Sequence, residues 1–110
     1  MEIRFAIPTT AREFTADFES YREFQIIDVV DRRIVNVECV TPSVVETEAL
    51  PKWLEEEFGI NVVIAGRMAV TTLDLFNRSS INVVTGAPNQ DPRELVTRFL
   101  NNSLTRVARY

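Results

Sequence analysis

The second half of the chain alternates short apolar runs with a segment of helical periodicity, and this alternation most constrains the fold. Residues 61–65 and 81–85 are short apolar runs of the length of buried strands. Between them, residues 67–78 carry an apolar stripe at helical spacing, consisting of Ala69, Leu73 and Phe76. Strand–helix–strand units of this kind connect parallel strands by right-handed crossovers. This half of the chain therefore predicts an α/β fold.

The ends of two further helices are marked by residues that favour helix termini. Pro51 suits a first helical turn and Gly59 suits a helix end, so one helix is expected from about residue 50 to Gly59. Asp91, Pro92 and Glu94 have the spacing of a helix N-terminus with its cap. The apolar face expected for this last helix consists of Leu95, Val96, Phe99 and Leu100.

The first part of the chain predicts three strands. Alternating apolar residues indicate a first strand over residues 2–7, which Pro8 is expected to end. Residues 8–20 are predicted as a long surface loop, a kind of segment that is more often functional than idle. Residues 22–30 and 33–41 form a predicted hairpin around Asp31-Arg32. The whole chain is thus expected to form a single domain over residues 1–110, with a mixed five-stranded sheet and helices on both faces.

Cys39 is the single cysteine of the chain and falls in an apolar row with Val35 and Val37. This position favours a small buried hydrophobe, with a reactive or metal-ligating thiol as the alternative. One cysteine excludes an internal disulfide and favours a reducing compartment. Because no long apolar segment is present either, a cytoplasmic location without membrane contact is expected.

The absence of histidine excludes the largest set of chemistries. Without it, no Ser-His-Asp or Cys-His triad and no imidazole-based zinc site can form. The net charge of −4 does not favour nucleic acid as a partner, and a small basic tail at Arg106 and Arg109 does not change this. The consecutive Glu55–Glu57 fan around their helix, which favours a solvated face over a metal site.

Candidate ligand-binding residues lie where the predicted parallel strands end, because open α/β sheets bind ligands at the carboxyl ends of their strands. Three segments meet this condition: Pro8-Thr9-Thr10, Gly66-Arg67-Met68 and Gly86-Ala87. Glycine allows close approach of the backbone, a following helix N-terminus attracts anions, and Arg67 adds charge. The alternative is that Gly66 and Gly86 are turn residues only, since neither segment matches a phosphate loop or a dinucleotide motif.

The order and spacing of several segments resemble the dinitrogenase iron–molybdenum cofactor biosynthesis family, which includes nitrogenase accessory factors and small stand-alone homologues. The segments that carry the resemblance are Ile3–Thr9, Asp17–Asp28, Leu50–Leu54, Asn61–Met68 and Ile81–Ala87. The resemblance implies a three-layer α/β/α fold with ribonuclease H-like topology and no catalytic residues. It also implies a carrier for an iron–sulfur or iron–molybdenum cluster, with an apo-metalloprotein or a cluster-assembly protein as partner.

The chain departs from the family pattern where a cluster would be held. Asp17-Phe18-Glu19 stands in place of the family's His-Phe-Gly, and Thr41–Thr47 replaces a stretch rich in histidine and glycine. Gly66-Arg67-Met68-Ala69 stands in place of Gly-Gly-Met-Gly. The side chains left as candidate ligands are Cys39, Met68 and Asp17. Arg67 offers the alternative of binding an anionic cluster or its organic acid by charge.

Three functions are consistent with these residues. The first is a non-catalytic accessory protein that binds a cluster or an anionic metabolite at the edge formed by Thr9, Arg67 and Gly86. The second is a protein-interaction module that has kept the scaffold and lost cluster binding. The third is an enzyme, for which Thr9, Thr10 and Asp17 offer few acid–base groups.

Overall fold

The computed structural model describes residues 1–43 and 46–102, which contain six strands and three α-helices. The strands are β1 (Glu2–Thr10), β2 (Glu13–Phe14), β3 (Glu23–Val30), β4 (Arg33–Val40), β5 (Val62–Ile64) and β6 (Asn82–Val84). The helices are α1 (Leu50–Phe58), α2 (Val70–Asn77) and α3 (Pro92–Leu100). Short 3₁₀ turns occupy Phe18–Ser20 and Thr47–Ala49. The basic tail with Arg106 and Arg109 lies outside the described residues, as do Val44 and Val45 of the Thr41–Thr47 stretch.

The strands form one mixed sheet, as the sequence predicts. Its order is β4-β3-β1-β5-β6, and β2 pairs with the end of β1. β1, β5 and β6 are parallel, whereas β3 runs antiparallel to both β1 and β4. The carboxyl ends of β1, β5 and β6 therefore meet at one edge of the sheet, where the candidate site was expected.

The sheet has an apolar core on each face, which gives the molecule its three layers. α1 and α2 contribute to the first core, which includes Ala6, Phe18, Phe24, Leu54, Val63 and Phe76. α3 covers the second, which includes Phe5, Ile7, Ile27, Ile64, Leu95 and Val96. Alternate side chains of β1 point to opposite faces, so Phe5 and Ile7 lie in one core and Ala6 in the other.

The predicted ends of α1 and α3 are confirmed. Pro51 lies in the first turn of α1, and Gly59 ends the helix in the left-handed region at φ 62°. The Asp91 carboxylate accepts a 2.9 Å hydrogen bond from the backbone N–H of Arg93 at the start of α3. These positions were predictable because capping depends on neighbouring residues only.

The prediction of a strand ending at Pro8 and a loop over residues 8–20 is wrong. β1 continues to Thr10, with Pro8 opposite Phe24 of β3. A two-residue turn at Ala11-Arg12 then leads into β2, and both turn residues have positive φ, 52° and 69°. A proline ends a strand only where the ladder needs its N–H. Here the Pro8 carbonyl still accepts a 2.9 Å bond from the Thr15 N–H.

The hairpin at Asp31-Arg32 is confirmed, but the apolar row predicted for β4 is not. Asp31 and Arg32 have φ of 50° and 70°, the conformation of a tight turn between antiparallel strands. A bulge in β4 then leaves Val35 without a partner on β3 and breaks the alternation of side chains. Val35 is exposed as a result.

Cys39 is exposed, contrary to the expectation of a small buried hydrophobe. It lies opposite Gln25 near the end of β4, the strand at one edge of the sheet. Ile34 and Val37 of β4 pack against the α3-side core, and Cys39 lies beyond them. Strand periodicity identifies which face a residue is on, but it cannot show how far a helix covers that face.

The helix predicted over residues 67–78 begins three residues later, at Val70. Ala69 is its exposed N-cap and not part of the buried stripe, whereas Leu73 and Phe76 are buried as expected. Arg67 and Met68 consequently belong to the connection between β5 and α2. In the described residues, no helix has the length and apolar character to cross a membrane.

Candidate functional site

The connection between β5 and α2 lies against residues 15–20, which we call the Asp17 segment. Asp17 and Arg67 form a bridge between parallel backbones. The Arg67 N–H donates a 2.7 Å bond to the Ala16 carbonyl, and the Phe18 N–H donates a 2.8 Å bond to the Arg67 carbonyl. The fold thus joins two of the predicted site residues that lie 50 positions apart in the chain.

Gly66 and Gly86 are also brought together, and their backbones contact the protein itself. The Gly86 N–H donates a 2.7 Å bond to the Gly66 carbonyl, and Gly86 has a φ of 79°. A Cβ atom built at Gly66 would lie 2.5 Å from the Ala16 carbonyl oxygen. The close approach that glycine permits at position 66 is therefore used by the Asp17 segment.

Arg67 extends its side chain from this edge into solvent. The side chain is 83% exposed, and the nearest carboxylate oxygen, on Asp17, is 4.0 Å from its guanidinium. Such an exposed contact contributes little stability, so the guanidinium can exchange Asp17 for another anion at small cost. Met68 instead packs against the core on the α1 and α2 side.

Glu19 binds the start of α2, a contact that sequence analysis did not find. Its carboxylate accepts a 3.1 Å bond from the backbone N–H of Ala69, the N-cap residue. A carboxylate here meets the positive end of the helix dipole, where an anionic ligand would also be favoured. No local motif could reveal this contact because the two residues are far apart in sequence.

Thr9 and Thr10 make their contacts with β2 and β3 and the residues beside them, and none of these contacts is with Arg67. Thr9 is buried, and its hydroxyl donates a 3.1 Å bond to the Glu23 carboxylate. The hydroxyls of Thr10 and Thr15 are 2.8 Å apart. The predicted edge therefore divides into an Arg67 part and a Glu23 part.

Glu23 and Cys39 shift each other's pKa. Hydrogen bonds from the Arg12 N–H and the Cys39 thiol hold the pKa of Glu23 below its usual range. Although Cys39 is exposed, partial desolvation of its thiol raises its pKa, and the hydrogen bond and charge of Glu23 raise it further. Because the thiolate is the nucleophile and the metal ligand, a raised pKa makes Cys39 less reactive than an ordinary exposed thiol.

Comparison with known proteins assigns the chain to a family. The family model described as dinitrogenase iron-molybdenum cofactor matches residues 1–102. The chain belongs to this family. No curated protein shows a significant match to it.

Solved structures confirm the fold expected for a member of the dinitrogenase iron-molybdenum cofactor family. PH0822 has a TM-score of 0.82 at 24% identity, covering 94% of this chain and 93% of that one. The MJ0327 protein of Methanocaldococcus jannaschii has a TM-score of 0.77 at 17% identity, covering 96% of this chain and 94% of that one. The apo form of the orange protein of Desulfovibrio gigas has a TM-score of 0.73 at 17% identity, covering 93% of this chain and 90% of that one. At these identities the likeness concerns the fold alone.

The part of this family member that the structure describes does not supply a set of metal ligands. Among residues 1–43 and 46–102, no group of three or more His, Cys, Asp or Glu side chains is placed to hold a metal ion. The candidate ligands are also dispersed: Cys39 contacts Glu23, Asp17 contacts Arg67, and Met68 packs on the core. Coordination of a cluster by the described side chains therefore does not fit.

Proposed function

We propose that this protein is a non-catalytic accessory protein that carries an anionic cargo, held by charge at Arg67. The cargo implied by the family is an iron–sulfur or iron–molybdenum cluster, or the organic acid attached to one. The observation that carries the proposal is the guanidinium of Arg67, which is exposed just after the carboxyl end of β5 and lies 4.0 Å from the carboxylate of Asp17.

Binding by charge agrees with the side chains at this edge. Arginine offers several N–H donors in a planar fork, which suits carboxylates and other anions without any metal–ligand bond. Gly66, Gly86 and the start of α2 place backbone groups beside Arg67. The acid–base groups needed for an enzyme are few, since the chain has no histidine and Glu19 and Glu23 are already engaged in hydrogen bonds.

Glu19 is expected to lower the affinity of this edge for an anionic cargo. Its carboxylate accepts the hydrogen bond from the Ala69 N–H, which would otherwise be available to an anion beside Arg67. An anionic cargo has to displace this carboxylate or bind next to it, and like charges at short distance repel. Removal of the Glu19 charge is therefore expected to strengthen binding, and removal of the Arg67 charge to weaken it.

The test is an anaerobic titration of the purified protein with iron–sulfur and iron–molybdenum cluster donors, followed by visible absorption and metal content. The wild-type protein, Arg67→Ala and Glu19→Gln are compared, with Arg78→Ala as control because Arg78 pairs with Asp74 at the far end of α2. Uptake that falls in Arg67→Ala and rises in Glu19→Gln supports the proposal. No uptake by any variant, or equal uptake by all four, contradicts it.

A protein-interaction module without cargo is the second candidate, and the contact between Gly66 and Ala16 favours it. This contact closes the backbone approach that a ligand would use. The partner would be an apo-metalloprotein or a cluster-assembly protein, and the two proteins would meet in the cytoplasm. Reproducible capture of one such protein, unaffected by Arg67→Ala and without cluster uptake, would favour the module.

A further inference from the structure

A concave surface lies on the α3 face of the sheet, and Arg67 is not among its lining residues. This basin has a volume of about 450 Å³, within the range of small-molecule sites. It lies where the β1–β2 turn, the end of β4 and the start of α3 meet. Its lining residues are Arg12, Gln25, Val37, Cys39, Asp91 and Arg93.

Arg12 is held at the basin by its backbone. Its N–H donates a 2.8 Å bond to the Glu23 carboxylate, and its carbonyl accepts a 3.4 Å bond from the Gln25 side-chain amide. Arg12 and Ala11 form the turn between β1 and β2, in which both residues have positive φ. The Arg12 charge is close enough to act on both Glu23 and Cys39.

Arg93 reaches the basin from a different element. It lies in the first turn of α3, where the Asp91 cap fixes its backbone N–H. In residues 1–43 and 46–102, neither Arg12 nor Arg93 forms an ion pair within 4.0 Å. Two guanidinium groups from independent parts of the chain thus line one cavity, and neither has a carboxylate oxygen of the described residues within ion-pair distance.

Two carboxylates near the basin already accept hydrogen bonds. Glu23 accepts from Thr9, Arg12 and Cys39, and Asp91 caps α3. Asp91 itself lines the basin and the charge of Glu23 interacts with that of Arg12, so these two carboxylates offset part of the positive charge of the arginines. Recognition must therefore come from direct contacts with the guanidinium forks, which favour carboxylates in bidentate geometry.

We infer that the basin between Arg12 and Arg93 binds a small organic dicarboxylate, with one carboxylate on each guanidinium. A single small ion would fill only a fraction of this volume, whereas a short dicarboxylate spans two walls. The thiol of Cys39 would be covered by the bound molecule. This site is separate from the proposed Arg67 site, so either one can fail without the other.

Alkylation of Cys39 reports on this basin, because it is the single cysteine of the chain. The rate of reaction with neutral iodoacetamide is measured against malonate, succinate and glutarate, which differ only in methylene chain length. At least one of them is expected to slow alkylation in a saturable manner. Arg12→Gln and Arg93→Gln are each expected to raise the half-protecting concentration about tenfold, the loss of one charge-assisted contact.

Matched controls separate recognition from general charge effects. Sodium chloride at equal ionic strength and butyrate, with a single carboxylate, should protect at least tenfold more weakly. Arg78→Gln and Arg67→Ala should leave protection unchanged, and Arg12→Lys should weaken it because lysine lacks the fork. Protection that is absent, unsaturable, equal for butyrate or unaffected by Arg12→Gln and Arg93→Gln overturns the inference. Circular dichroism of each variant confirms that its fold is intact.

Discussion

Gly66 lies so close to Ala16 that a side chain at position 66 would collide with the Ala16 carbonyl oxygen, at 2.5 Å. The neighbouring backbone bonds of Arg67 to Ala16 and Phe18 hold the two segments at this distance. The Asp17 segment thereby covers the glycine that would otherwise be open to a ligand.

Gly66→Ala is expected to destabilise the protein by about 1–3 kcal/mol, because the added methyl group forces the Asp17 segment away. Chemical denaturation measures the loss, and amide NMR shifts should move at Asp17 and Arg67. Gly59→Ala is the matched control, because a Cβ there meets nothing within 4 Å. Its cost should be the ~1 kcal/mol of a left-handed residue, with no shift at Asp17. Equal shifts at Asp17 in both variants would contradict the collision.

Glu19→Ala is expected to cost about 1 kcal/mol, since it removes the acceptor at the start of α2. The change in melting temperature measures this effect. Glu57→Ala, on the exposed face of α1, serves as a control that should be close to neutral. A neutral Glu19→Ala would show that the carboxylate does not bind Ala69 in solution.

Glu23→Gln is expected to lower the pKa of Cys39. Partial desolvation of the thiol raises this pKa, and the hydrogen bond and charge of Glu23 raise it further. The neutral amide removes the charge, so the midpoint of the alkylation rate against pH should move to lower pH. At about pH 8 the variant should react faster, because more of its thiol is ionised. An unchanged midpoint would contradict the contact between Glu23 and Cys39.

The same carboxylate should make folding sensitive to acid. The pKa of Glu23 is lowered in the folded protein, so its ionised form favours folding. This contribution is present above the unfolded pKa of about 4.3 and is lost as the pH falls through the lower folded value. Unfolding free energies between about pH 6 and pH 3 should therefore fall less steeply in Glu23→Gln. An identical slope in both proteins would refute the role of Glu23.

Leu54→Ala and Leu95→Ala probe the two cores. Both leucines are fully buried, Leu54 on the α1 and α2 side and Leu95 on the α3 side. Each variant is expected to lose about 2–5 kcal/mol on denaturation. Because the sheet separates the cores, the double variant should show additive losses to within about 0.5 kcal/mol. A large coupling energy would mean that the two cores are not independent.

Features that depend on near neighbours in the chain were predictable. The caps of α1 and α3, the turn at Asp31-Arg32 and the two short buried strands follow from local rules and were found as expected. The absence of histidine likewise limits the metal chemistry of any structure that the chain adopts. The resemblance to a family that the segment order indicated is confirmed by the match over residues 1–102.

Only the tertiary structure decided the state of the candidate site. Glu19 accepts a hydrogen bond from Ala69, which lies 50 positions later in the chain, and the backbones of Ala16 and Gly66 pack closely at the same sequence separation. The bulge in β4 exposes Val35, and Cys39 is exposed because it lies beyond the part of β4 that packs on the core, although periodicity predicts both residues in an apolar row. Sequence patterns report which residue types can form an element, since helix and strand geometry repeat over a few residues. The distance between two segments depends on how whole elements pack, and no local pattern contains it.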